Sequence, residues 1–162
     1  MFAWSSGPRE QNTGNQDMAF KFPSLDFFQE LANRMNADQP AFEKLGFCDT
    51  VMGVRVLGET PHLYAVTFEV YECSDVRELG DPGELELDFT LAASLDLWRE
   101  MFESIREHGQ PEPEYTLNSL SHLGDRMQVV YDDPEGHDKL YRFMATIQAY
   151  IDNARDLEIE WA

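Results

Sequence analysis

Glu84-Leu-Glu-Leu-Asp-Phe-Thr-Leu-Ala-Ala-Ser-Leu-Asp-Leu-Trp-Arg-Glu-Met-Phe-Glu-Ser-Ile105 changes its hydrophobic period halfway along. Leu85, Leu87, Phe89 and Leu91 alternate with Glu84, Glu86, Asp88 and Thr90, the two-residue repeat of a strand with one dry face. From Ser94 onward Leu95, Trp98, Met101, Phe102 and Ile105 recur at helical spacing. A strand therefore hands its dry face to an amphipathic helix, and the remaining elements are expected to close a core around the pair.

Working outward, Pro23-Ser24 supplies a turn and a helix cap, Asp26 a favourable first-turn charge, and Leu25, Phe28, Leu31, Ala32 and Met35 a helical stripe. A second short helix is expected around Phe42 and Leu45, capped by Gly46. Cys48–Leu57 and His62–Glu72 read as strands joined by the turn Gly58-Glu-Thr-Pro61, with Tyr64, Val66, Phe68 and Val70 on one face of the second. Val76–Leu79 reads as a continuation or bulge of that strand. Gly80-Asp-Pro-Gly83 turns the chain into the opening stretch, so three consecutive strands are expected to form an antiparallel meander. Leu117, Leu120 and Leu123 have helical spacing, whereas Met127, Val129 and Tyr131 alternate as in a strand. Asp133-Pro-Glu135 then caps a long last helix bearing Leu140, Phe143, Met144, Ile147, Ile151 and Ala154. The ending Leu157, Ile159, Trp161 alternates with acids, and Trp161 fits either a core plug or an interface such as that of a homodimer.

The 162 residues suit one domain, read as residues 18–162 after a mobile polar tail at 1–17. The net charge of −19 argues against nucleic acid and against an anionic membrane surface, both of which need Lys and Arg. Ten acids against two bases between Asp81 and Glu114 leave −8 in that segment alone, which reads as a solvated face. No apolar run approaches the roughly 20 residues of a membrane span. The start of the chain lacks a secretory pattern, so a cytoplasmic location is expected. Cys48 and Cys73 read as small buried thiols rather than a disulfide framework.

Motifs for catalysis are missing. His62, His108, His122 and His137 each lie beside a turn or an element end, and none has metal-ligand spacing. There is no nucleophile elbow, phosphate loop or dinucleotide glycine run. Glu84, Glu86 and Asp88 are placed in water by the alternation, where their pKa values would not separate for acid–base work. Eleven Phe, seven Met, six Tyr and three Trp supply large adaptable apolar surface, which fills cores and lines ligand cavities equally well.

At Phe89-Thr-Leu-Ala-Ala-Ser-Leu-Asp-Leu-Trp98 the chain resembles the sterol carrier protein 2 family, through Thr90 at the strand end, the Ser94 cap, and Asp96 and Trp98 in the first helical turns. Phe22–Leu25 and Leu123–Asp125 look similar too, and Tyr141–Asp152 looks like a bacterial branch of that family. The Pro- and Glu-rich loop after Gly109 and the length of the last helix depart from the pattern. The resemblance implies an α+β fold, a mostly antiparallel five-stranded sheet covered by helices, with a long C-terminal helix. It also implies an apolar tunnel between sheet and helices that binds or transfers a hydrophobic ligand (a sterol, a fatty acyl chain or a similar lipid) with no catalytic residue, cofactor, metal or stable membrane insertion. Phe89 and Leu91 on the strand, Trp98, Met101 and Phe102 on its helix, and Phe143, Met144 and Ile147 on the last helix are the candidate ligand contacts. Two other readings fit the same pattern. One is a nuclear transport factor 2-like cone fold acting as an isomerase or dehydratase on an apolar substrate, which would need a buried Asp or His. The other is an accessory protein whose cavity has collapsed.

Overall fold

A computed structural model describes residues 19–123 and 126–162. The expected polar tail and the Gly124-Asp125 part of the resemblance lie outside the described residues. The chain runs β1 (Ala19–Phe22), α1 (Leu25–Ala37), α2 (Gln39–Glu43), β2 (Thr50–Leu57), β3 (His62–Glu69), β4 (Glu72–Leu79), β5 (Phe89–Ser94), α3 (Leu95–His108), α4 (Leu117–Leu123), β6 (Gln128–Val130), α5 (Pro134–Arg142), α6 (Met144–Asp152) and β7 (Glu158–Trp161). Short 3-10 turns at Pro82–Glu84, Pro113–Tyr115 and Asn153–Asp156 join them.

Local chemistry explains the helix ends. Ser24 accepts a hydrogen bond from the Phe27 amide at 3.1 Å and Ser94 one from the Leu97 amide at 3.1 Å, satisfying donors that a helix start leaves unpaired. Gly109 closes α3 with φ of +79° and sends its amide to the Ile105 carbonyl at 2.7 Å. On α1 the buried stripe is Phe27, Phe28, Leu31, Ala32 and Met35, while Leu25 is exposed. The expected stripe thus rotates by a fraction of a turn and gains Phe27.

The principal sheet has five strands in the order β4-β3-β2-β5-β6. It is mixed: β2 and β5 run parallel, and the other three neighbouring pairs are antiparallel. The expected β2–β3 hairpin and the short β6 are present. The meander differs from the expectation, because its third strand is β4 rather than the Glu84–Leu91 stretch. The reversal between β3 and β4 occurs at Val70, which adopts φ of +58°, a conformation rare for a β-branched residue and therefore silent in the sequence pattern. β5 instead crosses to pair with β2, Met52 facing Phe89 and Val54 facing Leu91. A separate two-stranded parallel pair joins β1 to β7, with Phe22 facing Trp161, so both ends of the described chain meet.

The helices gather on one face of the sheet and enclose the main core. The other face carries a small cluster of Leu63, Ala65 and Leu79, covered by Leu85 and Leu87. Leu85 and Leu87 therefore precede β5 and pack on the face opposite Phe89 and Leu91. Gly53 on β2 allows this packing, since a Cβ there would lie 2.5 Å from Thr90 Oγ1 and 3.0 Å from Leu87 Cδ1.

Asp88, expected in open solvent, is instead a partly buried clasp. Its carboxylate accepts from the Thr50 hydroxyl and the Val51 amide, both at 2.8 Å, and lies 3.4 Å from Lys139 Nζ. The Asp88 amide returns a bond to the Val51 carbonyl at 2.9 Å. One residue thus ties the start of β2, the approach to β5, and α5. The expected long last helix is broken at Phe143 (φ −108°, ψ 17°) into α5 and α6. The break lets α5 ride over Asp88 while α6 directs Ile147, Tyr150 and Ile151 into the core.

Two stability predictions arise here. A Cβ on Gly136 would sit on the Asp88 carbonyl oxygen, so Gly136→Ala should lower unfolding free energy by about 1–3 kcal/mol in a denaturant titration. Val70→Asn, placing a residue that tolerates the left-handed region at an exposed turn, should raise it by about 0.5–1 kcal/mol.

Candidate ligand-binding core

The layer between sheet and helices is built from interlocking rings. Phe22 meets Phe27 at 4.9 Å between centroids, Phe102 at 5.3 Å and Trp161 at 5.5 Å. Phe27 meets Phe102 at 5.0 Å, Phe28 meets Tyr64 at 4.8 Å, and Trp98 stacks on Phe102 at 6.1 Å. Most of these pairs are edge-on or tilted, the arrangement favoured by the ring quadrupole. Met35, Met52 and Met101 are fully enclosed among them.

The eight candidate contacts converge as the residue spacing implies. Phe89 and Leu91 from β5, Trp98, Met101 and Phe102 from α3, and Phe143 and Ile147 from the last helical segment all belong to one buried cluster, with Met144 packed half-buried against it. Phe22, Phe27, Phe28, Tyr64 and Met52 also belong to this layer, beyond the eight candidate contacts. Of these, Phe28 and Tyr64 have the spacing of dry-face positions. Phe22 and Met52 join only through long-range pairing with β7 and β5. Trp161 lies edge-on to Phe22, with the Arg99 guanidinium 5.5 Å from its ring, and so packs at the rim of the core.

Polar groups within the layer are few and mostly paired. Trp98 Nε1 donates to the Arg55 carbonyl at 3.1 Å, the Tyr150 hydroxyl to the Phe28 carbonyl at 2.8 Å, and Asn153 Nδ2 to the Leu31 carbonyl at 3.2 Å. Burial pushes the Tyr150 phenol well above its usual range. Cys48 and Cys73 are free and buried, as expected. Burial first, then the neighbouring Asp49 carboxylate, pushes Cys48 up to about 12, and burial likewise pushes Cys73 up to about 12.

Open clefts lie elsewhere. One of about 540 Å³ is bounded by Leu85, Asp88, Thr90, Tyr131 and Lys139, and one of about 290 Å³ by Leu57, Leu63, Ala92 and Val130. A third, of about 520 Å³, is acidic and flanked by Glu100, Glu103, Glu107 and Glu112. None of the eight candidate contacts lines these three clefts. The histidines sit at the periphery: His62 pairs with Glu78 at 2.9 Å, His137 stacks on Tyr131 at 4.3 Å, and His122 and His108 are exposed. Among the described residues no group of three or more His, Cys, Asp or Glu is placed to hold a metal ion. No helix among them is long and apolar enough to cross a membrane.

A five-stranded mixed sheet with helices over one face has counterparts among solved structures. The chain superposes on a conserved hypothetical protein of Thermus thermophilus, suggested to be a sterol carrier protein, with TM-score 0.61 at 15% identity over 85% of this chain and 90% of that one. It superposes on sterol carrier protein 2 with TM-score 0.59 at 16% identity, over 83% of this chain and 97% of the other. No family model matches the sequence, and no curated protein does. The fold is therefore sterol carrier protein 2-like, as the resemblance at Phe89–Trp98 implied.

The thiol environment gives a direct test. A maleimide at neutral pH should leave Cys48 and Cys73 unlabelled in the folded chain and label both after denaturation, read by intact mass. The folded thiols titrate near 12 against 9.0 for a free thiol. Their contribution to stability is thus complete below pH 9 and lost as pH rises towards 12, so the melting temperature should fall across that window.

Proposed function

We propose that the protein binds a hydrophobic ligand, such as a sterol, a fatty acyl chain or a similar lipid, in the layer between the sheet and helices α1, α3 and α6, and that it does so without catalysis. The observation that carries this reading is the composition of that layer: rings and methionines from β1, α1, β2, β5, α3 and α6 form one continuous apolar body. The sterol carrier protein 2-like architecture supports the same location. Methionine and phenylalanine repack around irregular apolar shapes at low cost, so separation of the helices from the sheet exchanges side-chain contacts for ligand contacts. Binding would be driven by apolar burial at about 25 cal/mol per Å².

The isomerase reading needs a buried Asp or His free for proton transfer; Asp88, which borders the cleft of about 540 Å³, is already engaged by Thr50, Val51 and Lys139, which speaks against that role. The accessory-protein reading gains one observation, the close packing of Phe89, Leu91, Trp98, Met101 and Phe102. The carrier and accessory readings separate in one experiment. Native mass spectrometry of the purified chain, followed by solvent extraction, should show an adduct and identify an apolar molecule. An apo mass together with no uptake of a fluorescent fatty acid or sterol would favour the collapsed core. Met101→Trp, which fills the layer from α3, should reduce uptake at least about tenfold by excluding ligand volume, provided a thermal melt shows cooperative unfolding.

A further inference from the structure

We infer that Tyr64 is the polar anchor of the ligand layer, its phenol O–H donating a hydrogen bond to a neutral oxygen acceptor (ketone, alcohol or ester) at one end of an otherwise apolar ligand. This rests on the binding reading above and narrows it to a ligand class. Tyr64 projects from β3 into the main core and is fully buried. Its ring lies 4.8 Å from that of Phe28 and stacks at 6.1 Å with that of His62. The other buried aromatic donors of the layer are satisfied, Trp98 by the Arg55 carbonyl and Tyr150 by the Phe28 carbonyl. The Tyr64 hydroxyl, by contrast, is enclosed and finds no hydrogen-bond partner among the described residues. Leaving such a donor unpaired out of water is unfavourable, whereas a phenylalanine would fill the same space without that cost. A ligand oxygen at this point removes the penalty.

The surroundings select the acceptor. Glu78 faces Tyr64 across the β3–β4 pair, and its carboxylate is bound by His62 at 2.9 Å. Burial first, and the Glu78 charge second, raise the phenol above its usual range, so it stays a neutral donor. An anionic headgroup here would meet the field of Glu78 and would be buried with a single donor, a combination far costlier than burying a neutral carbonyl. The ring series Tyr64, Phe28, Phe22, Phe102, Trp98 offers the hydrocarbon a continuous apolar path leading away from the hydroxyl.

The test uses the full chain, wild type and Tyr64→Phe, with hexadecanone, hexadecane and hexadecanoate as probes of matched length. Tyr64→Phe should fold with an unchanged or higher melting temperature. It should lower the hexadecanone-to-hexadecane affinity ratio about 5–10-fold, the value of one neutral hydrogen bond. In the wild type, saturating hexadecanone should shift the Tyr64 Cζ resonance and hexadecane should not, a readout that stands even if the variant fails to fold. An unchanged ratio, an absent or equal Cζ shift, or hexadecanoate binding more tightly than hexadecanone would overturn the anchor while leaving apolar binding intact. Failure of all three probes to bind the wild type would overturn the binding reading itself.

Discussion

Phe22 holds the molecule together. Its ring is fully enclosed by Phe27 and Phe28 of α1, Phe102 of α3 and Trp161 of β7. It is the last residue of β1 and leads directly into the Pro23-Ser24 cap, so the angle at which α1 crosses the core is fixed at the same point. An aromatic side chain of this kind contributes several kcal/mol when its burial is complete, and truncation costs about 3–5 kcal/mol. The contact joins the two ends of the described chain to its middle, and the apolar layer proposed to take a ligand is assembled around it.

The layer has two kinds of boundary. On the sheet side, β2 and β5 run side by side with Met52, Val54, Phe89 and Leu91 facing the helices. Gly53 and Thr90 take the opposite face, where Leu87 packs. On the helix side, α3 is capped at both ends, by Ser94 and by Gly109, whereas the last helix is interrupted at Phe143. Phe143 also meets the exposed ring of Phe47 at 6.1 Å. Beyond the break, the Tyr150 hydroxyl and the Asn153 amide bond the Phe28 and Leu31 carbonyls of α1, while buried Leu140 and the Lys139–Asp88 contact hold α5.

Much of this was legible in the sequence because it depends on local periodicity. The Ser94 cap, the α3 stripe of Trp98, Met101, Phe102 and Ile105, and the Gly109 stop can be read without tertiary information. Seven of the eight candidate contacts fall on buried faces for the same reason, and Met144 packs half-buried beside them. What escaped was decided by long-range pairing. Leu85 and Leu87 continue the alternation of Phe89 and Leu91, yet they belong to the segment before β5 and cover the opposite face of the sheet. Asp88 reads as a solvent-facing acid until Thr50, Val51 and Lys139 arrive from distant parts of the chain. Val70 reads as strand because no turn residue announces the reversal, and Phe22 carries no local sign of its central position. The Tyr64 hydroxyl lies beyond sequence reading altogether, since an unpaired donor is defined only by what surrounds it.

The aromatic and methionine layer, rather than a surface cleft, is the proposed seat of the ligand. Methyl resonances of the methionines, followed by NMR while hexadecanone is titrated into the full chain, test this most directly. Saturable shifts are expected at the enclosed Met35, Met52 and Met101 and at Met144 on the edge of the layer. Saturable shifts confined to the exposed sheet face around Leu57, Leu63 and Val130, with those four methyls unmoved, would contradict it.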